Sequence, residues 1–334
     1  MNILAFETSC DETSVAVVRD GRKLLSNEVL SQTDLHALYG GVVPEIASRS
    51  HLEAIAPLTA KALSKVSDGI DAVAATAAPG LIGALLVGLN FAKGYAMARN
   101  LPLVPVHHIR GHVAAAYLAE PDLEPPFLAA VVSGGNTQFF EVLDYTTFRV
   151  AGGTRDDAAG EAFDKGARLL GLGYPGGAAL DKLAARGRPD AYRLPRPQVE
   201  GHPYDMSFSG LKTAALNVIN GAGMKGGTVD KAGLAASFTA AVCEALVSRT
   251  ALAIERLGHS TCVLAGGVAA NTILRRELTV ALPGRTLYMP PMSLCGDNAA
   301  MIGAQAYYEW LSGVSTGMSL NGYADFPVDK QGVL

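Results

Sequence analysis

Dense basic runs, paired cysteines and tryptophan are scarce in this chain of 334 residues. Lys and Arg number 27 against 31 Asp and Glu, which gives a formal net charge of −4, and there is a single Trp. A surface that binds nucleic acid on its own usually carries a clear basic excess. The balance therefore argues against a large, self-sufficient nucleic-acid surface, and a nucleic-acid substrate would have to be held with the help of partner proteins.

The four cysteines are widely spaced and include no C-x-x-C pair: Cys10, Cys243, Cys262 and Cys295. This pattern is typical of a reducing cytoplasm and does not suit a disulfide framework. Residues 1–7 show neither the basic start nor the long apolar run of a signal peptide. We therefore expect a cytoplasmic protein.

One stretch without charged residues, 72–92, is long enough to cross a membrane by its length alone. The pair Pro79-Gly80 interrupts it, and the residues on either side differ in pattern. A buried strand, a turn and a buried helix explain such a stretch better than a membrane span. We expect no membrane partner.

The sequence contains two halves with similar patterns. With 49% hydrophobic residues, the chain is long enough for two domains, each with its own core. Each half predicts the order β-β-β-α-β-α-β-α, including a helix over residues 44–66, and each ends with a strand that leads into a helix. We expect an α/β protein with a duplicated ribonuclease-H-like fold and a ligand cleft between its lobes. The predicted lobes are residues 1–125 and 126–334, the second with a helical insertion at about 155–227.

A pair of histidines, His108 and His112, is the first candidate site. Residues four apart lie on one helix face, close enough to share a metal ion, although two surface histidines would give the same pattern. A zinc peptidase needs a glutamate after the first histidine, and Ile109 stands there. Asp297 occupies the corresponding place in the second half. We expect it to face the histidines across the cleft and complete a site that suits Fe2+ or Zn2+.

A turn follows the first strand in each half. The second-half turn is rich in glycine and hydroxyl groups, which suits phosphate oxygens, although an ordinary tight hairpin would look the same. It consists of Ser133, Gly134, Gly135, Asn136 and Thr137. The first-half turn is acidic and contains Asp11 and Glu12. A bare phosphate would be repelled there unless a metal or a basic partner intervened.

Two further segments of the second half could contact a nucleotide. Residues 265–271 join a strand to a helix, and paired glycines there let a base or ribose approach the backbone. Asn271 could hydrogen-bond a ligand or simply cap the helix. In the insertion, Asp164 and Asp181 could hold ribose hydroxyls while Gly177 permits close approach. The alternative for these two carboxylates is the usual one, a solvated helix face.

Eight segments in order resemble the bacterial tRNA N6-adenosine threonylcarbamoyltransferase family (TsaD), once labelled a glycoprotease, over nearly the whole chain. They include His107-His-Ile-Arg-Gly-His112 and lie at residues 7–14, 40–49, 107–112, 132–137, 156–165, 207–213, 266–271 and 295–298. The resemblance implies a duplicated actin-like ATPase fold. It also implies transfer of a threonylcarbamoyl group from threonylcarbamoyl-adenylate to N6 of the adenine beside the anticodon, in tRNAs that read codons beginning with A. AMP would be released.

The resemblance also implies roles for the candidate residues. His108, His112 and Asp297 would hold one divalent metal ion, Fe2+ in the first place, with Zn2+ or Mg2+ as alternatives. Residues 133–137 would hold the adenylate together with Asp164, Gly177, Asp181 and Asn271, and ATP or ADP would fit the same site. Asn136 stands where many relatives have His, so no role that needs an imidazole is carried over to it. Asp11 or Glu12 is our hypothesis for the general base.

The family works with partners. The resemblance implies tRNA as the substrate, a small paralogous dimerisation subunit (TsaB-like) and an ATPase subunit (TsaE-like). The helix predicted over residues 44–66 is the candidate partner surface, and core packing of its apolar face is the alternative.

Other functions of the same fold remain open at this stage. A sugar or acetate kinase would also bind a nucleotide between its lobes, but it would hold Mg2+ with the acidic turn and would not need the histidine pair. A non-catalytic scaffold with a regulatory nucleotide site is the third possibility. Metal binding that depends on the histidine pair would disfavour both.

Overall fold

The computed structural model describes residues 1–196 and 199–333, and the chain divides into two compact units. The first unit combines three stretches of the chain: Met1–Pro126, Val142–Arg149 and Pro290–Leu334. The second combines Phe127–Glu141 and Val150–Met289. The expected division had a single boundary, at residue 125. The first unit does end its first stretch close to that point, but the last stretch of the chain also belongs to it.

A mixed five-stranded sheet with the order β3-β2-β1-β4-β5 forms the centre of the first unit. Its strands are β1 (Asn2–Glu7), β2 (Glu12–Arg19), β3 (Lys23–Ser31), β4 (Ala72–Ala78) and β5 (Leu103–His107). Strand β2 is antiparallel to its neighbours β1 and β3, and β4 and β5 run parallel to β1. Asp20 and Gly21 both have positive φ at the β2–β3 turn, which matches the Asp-Gly hairpin in the sequence.

Strand residues alternate between two buried faces, so the sheet is covered on both sides. Ile3 and Ala5 face one cluster, whereas Leu4 and Phe6 face the other. Helices α1 (Thr33–Ala37), α2 (Pro44–Ser64), α3 (Ile82–Arg99), α4 (His108–Ala119) and α10 (Ala299–Leu311) complete the unit. Residues of α2 and α3 cover the Leu4 face, and residues of α4 and α10 cover the Ile3 face. The result is a three-layer α/β/α arrangement.

The second sheet repeats the topology of the first. Its order β8-β7-β6-β9-β10 corresponds strand for strand to β3-β2-β1-β4-β5. The strands are β6 (Phe127–Val132), β7 (Thr137–Val142), β8 (Phe148–Gly153), β9 (Thr261–Ala265) and β10 (Thr286–Tyr288). The helices between them are α5 (Ala159–Leu169), α6 (Gly176–Ala184), α7 (Ser209–Met224), α8 (Lys231–Leu257) and α9 (Thr272–Ala281). The predicted duplicated α/β fold is confirmed.

Two apolar segments are part of these folded units. The stretch 72–92 forms β4 and the first half of α3, as its Pro-Gly interruption predicts. Among the described residues, α8 is one helix that is long and apolar enough to cross a membrane by length and composition. In the most apolar 18-residue stretch of α8, 56% is buried inside the protein, as is typical of a core helix.

Candidate functional site

The two histidines lie at the start of α4, directly after β5. The side chain of His107 accepts a hydrogen bond from the backbone N–H of Ile109 at 3.2 Å and caps the helix. One turn of helix separates His108 from His112, and their ring centroids are 4.6 Å apart. Both side chains are buried, so the interpretation as two surface histidines is excluded.

Asp297 completes a cluster with the two histidines. Its Oδ1 lies 3.5 Å from Nε2 of His108 and 3.3 Å from Nε2 of His112. One ligand atom from each of the three residues falls within 4.8 Å of the others. All three belong to the first unit, whereas we expected Asp297 to face the histidines from the other lobe. The reason is that α10, which begins two residues after Asp297, packs on the first sheet together with α4.

A buried carboxylate orients His108. Oε2 of Glu7 lies 3.0 Å from Nδ1 of His108, and Oγ of Ser9 lies 3.2 Å from the same nitrogen. Glu7 is completely buried at the end of β1 and accepts hydrogen bonds from the Thr76 hydroxyl and the Ser9 N–H. With Nδ1 held in this way, Nε2 of His108 is directed to Asp297. A carboxylate behind a histidine is the usual support of a metal-binding imidazole.

The charges of the cluster favour a cation. Burial opposes ionisation of all three groups, but the pKa of Asp297 still falls to about 2 because of His108 and His112. The pKa of His108 rises to about 9, because Asp297 and Glu7 outweigh the burial that would lower it. The pKa of Glu7 is lowered by His108 despite its burial. Two ionised carboxylates therefore flank His108 and hold positive charge at this site, as a proton on the imidazole or as a metal ion that displaces it.

His112 supplies the test of whether these residues fit a metal ion. Its ring is 1% exposed, and neither nitrogen has a hydrogen-bond partner among the described residues. The 3.3 Å separation from Asp297 lacks hydrogen-bond geometry. Burying a polar group without a partner is unfavourable, and a metal ion between the three side chains would satisfy it. Two imidazoles and one carboxylate are a donor set that suits Fe2+ or Zn2+.

The acidic turn after β1 holds Asp11 and Glu12. Asp11 is buried, and its backbone carbonyl accepts a hydrogen bond from the N–H of Gln32 at 3.0 Å. Oε1 of Glu12 accepts a hydrogen bond from the Ser31 hydroxyl at 3.0 Å. Burial, with the charges of Asp297 and Asp11, raises the pKa of Glu12 to about 9. A carboxyl group with that pKa holds its proton at neutral pH and accepts another group's proton poorly.

The glycine-rich turn lies between β6 and β7. The Ser133 hydroxyl accepts a hydrogen bond from the N–H of Asn136 at 3.1 Å, and the Ser133 N–H donates to the Asn136 carbonyl at 2.7 Å. Gly134 and Gly135 are exposed, with open space where a Cβ would be. Thr137 is buried, and its hydroxyl accepts a hydrogen bond from the Ala159 N–H at 2.9 Å. Its hydroxyl therefore anchors the start of α5, while the two glycines present their backbone to solvent.

The remaining candidate residues meet in two pairs. Oδ1 of Asp164 accepts a hydrogen bond from the Gly177 N–H at 3.1 Å. Nδ2 of Asn271 donates to Oδ1 of Asp181 at 3.0 Å, and the Thr272 hydroxyl donates to Oδ2 of Asp181 at 3.3 Å. Asn271 also caps α9 by accepting a hydrogen bond from the Leu274 N–H at 2.8 Å, as the alternative interpretation predicted. The insertion and the β9–α9 turn therefore share one polar cluster.

The turn after β9 requires a glycine. Gly266 has φ of 91°, and a Cβ there would lie 2.5 Å from the Val132 carbonyl oxygen. Beyond this turn, a groove of about 660 Å³ lies between α6, α8 and α9. Asp181 and Thr272 lie on its wall. The polar cluster thus borders a space large enough for a small ligand.

The sequence analysis assigned no role to two residues that contact His108, Glu7 and Ser9. Both lie in the first motif that carries the family resemblance. A carboxylate at the end of an apolar strand was the available signal, because such a position is normally apolar or exposed.

Comparison with solved structures defines the class of the protein, the duplicated actin-like ATPase fold. HypF of T. kodakarensis matches with a TM-score of 0.63 at 16% identity, covering 96% of this chain and 49% of that one. Component A of the Acidaminococcus fermentans (R)-2-hydroxyglutaryl-CoA dehydratase matches with a TM-score of 0.53 at 16% identity, covering 92% and 98%. At such identities the likeness shows the fold alone.

The family is shown by sequence. The chain belongs to the tRNA N6-adenosine threonylcarbamoyltransferase (TsaD) family, whose family model matches residues 23–304. The tRNA N6-adenosine threonylcarbamoyltransferase of Moorella thermoacetica is 50% identical over 333 residues, covering 98% of this chain and 97% of the relative. The protein of that name from Clostridioides difficile is 46% identical over 332 residues, covering 98% of each. The resemblance in the motifs is confirmed.

Proposed function

We propose that this chain transfers the threonylcarbamoyl group of threonylcarbamoyl-adenylate to N6 of adenine 37 in tRNAs that read codons beginning with A. The amine nitrogen of the adenine attacks the carbamoyl carbon, and the bond from this carbon to the phosphate oxygen breaks. The amine loses a proton, and AMP leaves. The observation that carries the proposal is the cluster of the buried His108 and His112 with the half-buried Asp297, found in a chain of this family.

The three residues of this centre are the proposed metal ligands, with Fe2+ first and Zn2+ or Mg2+ as alternatives. A bound divalent cation would supply Lewis-acid stabilisation of negative charge that develops on the donor. Glu7 and Ser9 hold Nδ1 of His108 and fix the direction of the other ring nitrogen. Asp11 is the proposed acceptor of the amine proton, because Glu12 holds its own proton at neutral pH.

The adenylate-binding residues are proposed in the second unit. The exposed backbone of Gly134 and Gly135 would approach the phosphate, together with Ser133, Asn136 and the backbone of Thr137. The ribose hydroxyls would contact two carboxylates. One is Asp164, which is hydrogen-bonded to Gly177 in the first turn of α6, and the other is Asp181 beside Asn271. Support comes from the two hydrogen-bonded pairs, because each one holds a carboxylate in place beside a glycine-rich or helix-start backbone.

Cytoplasmic partners are part of the proposal. Large apolar side chains are exposed on α2 and the segment before it: Leu35, Leu38, Tyr39 and Leu52, of which Leu38 is 81% exposed. Exposed apolar patches mark interfaces. We assign this patch to the small paralogous dimerisation subunit (TsaB-like), with an ATPase subunit (TsaE-like) as the second partner. Leu38→Asp with Leu52→Asp should then abolish co-elution with the first partner.

The test uses purified protein, threonylcarbamoyl-adenylate and unmodified tRNA, with and without the partner subunits. Digested nucleosides are analysed by mass spectrometry for threonylcarbamoyladenosine. The wild type should form it, and His108→Ala with His112→Ala should not. His202→Ala is the matched control, because that histidine side chain is 54% exposed and lies in the other unit. Tight nucleotide binding without product, even with partners, would favour a kinase or a scaffold instead.

A further inference from the structure

The segment 185–196 concentrates exposed positive charge in a chain of negative net charge. It follows α6 and contains four arginines against one carboxylate, Asp190. The side chains of all four are exposed: Arg186, Arg188, Arg193 and Arg196. We call residues 185–196 the arginine segment.

The arginine segment has no regular secondary structure, yet it is held firmly against α8. The Tyr192 N–H donates to the Ser237 hydroxyl at 3.0 Å, and the Tyr192 hydroxyl accepts from the Asp230 N–H at 2.9 Å. Leu194 is buried. A Cβ on Gly187 would lie 1.9 Å from the Ala232 carbonyl oxygen, so the two backbones touch there. The arginines therefore project from a fixed platform, which reduces the entropy lost when they bind a ligand.

The charges on this platform are available. Arg188 pairs with Asp190 and Arg196 pairs with Glu244, but these are surface pairs, which are weak and easily exchanged. Arg186 and Arg193 form no ion pair within residues 1–196 and 199–333. A guanidinium group binds a phosphate with two parallel hydrogen bonds. Several such groups within one short segment suit a polyanion whose phosphates repeat along a strand.

We propose that the arginine segment binds the phosphate backbone of tRNA, an inference that rests on the proposed function. A small basic platform explains how a chain with more Asp and Glu than Lys and Arg holds a polyanionic substrate. It contacts phosphates and therefore positions tRNA without reading its sequence. The segment also begins one residue after α6, which carries Asp181, so bound tRNA would lie over the same unit as the proposed adenylate residues.

The experiment measures tRNA affinity against salt concentration, with the partner subunits present, by filter binding. Arg186→Glu with Arg193→Glu should weaken binding by at least roughly tenfold and lower the slope of log K against log salt by about 2, since each phosphate contact contributes close to 1. Lys225→Glu with Arg256→Glu is the matched control, with the same charge change on exposed side chains of the same unit. Arg186→Gln with Arg193→Gln should give an intermediate loss.

Two further measurements separate this inference from the proposed function. Calorimetric binding of ADP should be unchanged in every variant, which shows that the second unit remains folded. In the transfer assay, the variant Arg186→Glu with Arg193→Glu should have a higher KM for tRNA with little change of kcat. Suppose that the wild type transfers the group, but that Arg186→Glu with Arg193→Glu has the same tRNA affinity and salt slope as the control variant. This result would overturn the proposed role of the arginine segment and leave the proposed function intact. Selective loss of tRNA binding without transfer by the wild type would support the segment and contradict the proposed function.

Discussion

Oε2 of Glu7 lies 3.0 Å from Nδ1 of His108, at the point where the last residue of β1 meets the first residue of α4. The contact joins two elements that are 101 residues apart in the chain. It fixes the imidazole that faces Asp297 and makes the acidic end of β1 part of the candidate metal centre. A residue that holds a metal ligand without contacting the metal ion itself still determines how well the ion is bound.

Glu7→Gln should therefore lower metal affinity by roughly 10–100-fold, the usual effect of removing such a support. The amide keeps the volume of the side chain but removes the negative charge that stabilises His108. Metal content after equilibrium dialysis against buffered Fe2+ or Zn2+ measures the change. Glu53→Gln, on the exposed surface of α2, should leave metal content unchanged. Equal metal affinity in the Glu7 variant and the wild type would contradict the role of Glu7.

Metal binding should stabilise the first unit. A ligand that binds only the folded state adds about 2.7 kcal/mol at a free concentration one hundred times its Kd. Adding Zn2+ to chelator-treated wild type should raise the thermal midpoint, whereas His108→Ala with His112→Ala should show no rise. The removal of two buried imidazoles also removes the unpartnered nitrogens of His112. A midpoint that rises equally in both proteins would place the metal elsewhere.

Asn271 has two roles that a pair of substitutions can separate. Its Oδ1 caps α9, and its Nδ2 binds Asp181. Asn271→Ser keeps a capping oxygen but loses the amide, so stability should hold while nucleotide affinity falls. Asn271→Ala should also lose about 0.5–2 kcal/mol of unfolding free energy, the usual effect of removing a cap. Urea denaturation and ADP calorimetry measure the two effects, and full affinity in the serine variant would confine Asn271 to capping.

Arg110 and Glu309 form a buried ion pair in the first unit. Nη1 of Arg110 lies 2.9 Å from Oε1 of Glu309 and also donates to the Thr146 carbonyl at 2.7 Å. Arg110→Met leaves a buried carboxylate without its cation, so the unfolding free energy should fall by about 3–5 kcal/mol. Adding Glu309→Leu should recover part of this loss, because it removes the uncompensated charge. A double variant that is less stable than Arg110→Met would contradict this account, with urea denaturation as the measurement.

Local patterns were enough to predict the elements of the fold. The Pro-Gly interruption at residues 79–80 and the pattern of residues 44–66 each carry a short-range signal, and the structure has β4 with α3 and the helix α2 where they were expected. The repeated order then gave the duplicated topology. The histidine pair was predictable for the same reason, since spacing along one helix decides its geometry.

Long-range packing could not be predicted in this way. The sequence shows that a helix follows Asp297, but which sheet α10 covers depends on its fit to the surfaces available. Met301 and Ile302 of α10 join the cluster of Ile3 and Ala115. The role of Glu7 was missed because its partners come from β4 and α4, far away in the chain.

The placement of Asp297 ties the chemistry of the centre to the order of biosynthesis. A ribosome that has made residues 1–126 has produced both histidines, but neither the third donor nor the helix that covers one face of the first sheet. The whole second unit is synthesised before these arrive, because α10 follows β10 in the chain. A nascent or proteolysed chain that ends before residue 297 therefore lacks one of the three residues of the candidate metal centre, and the centre is complete only when nearly all of the chain has been made.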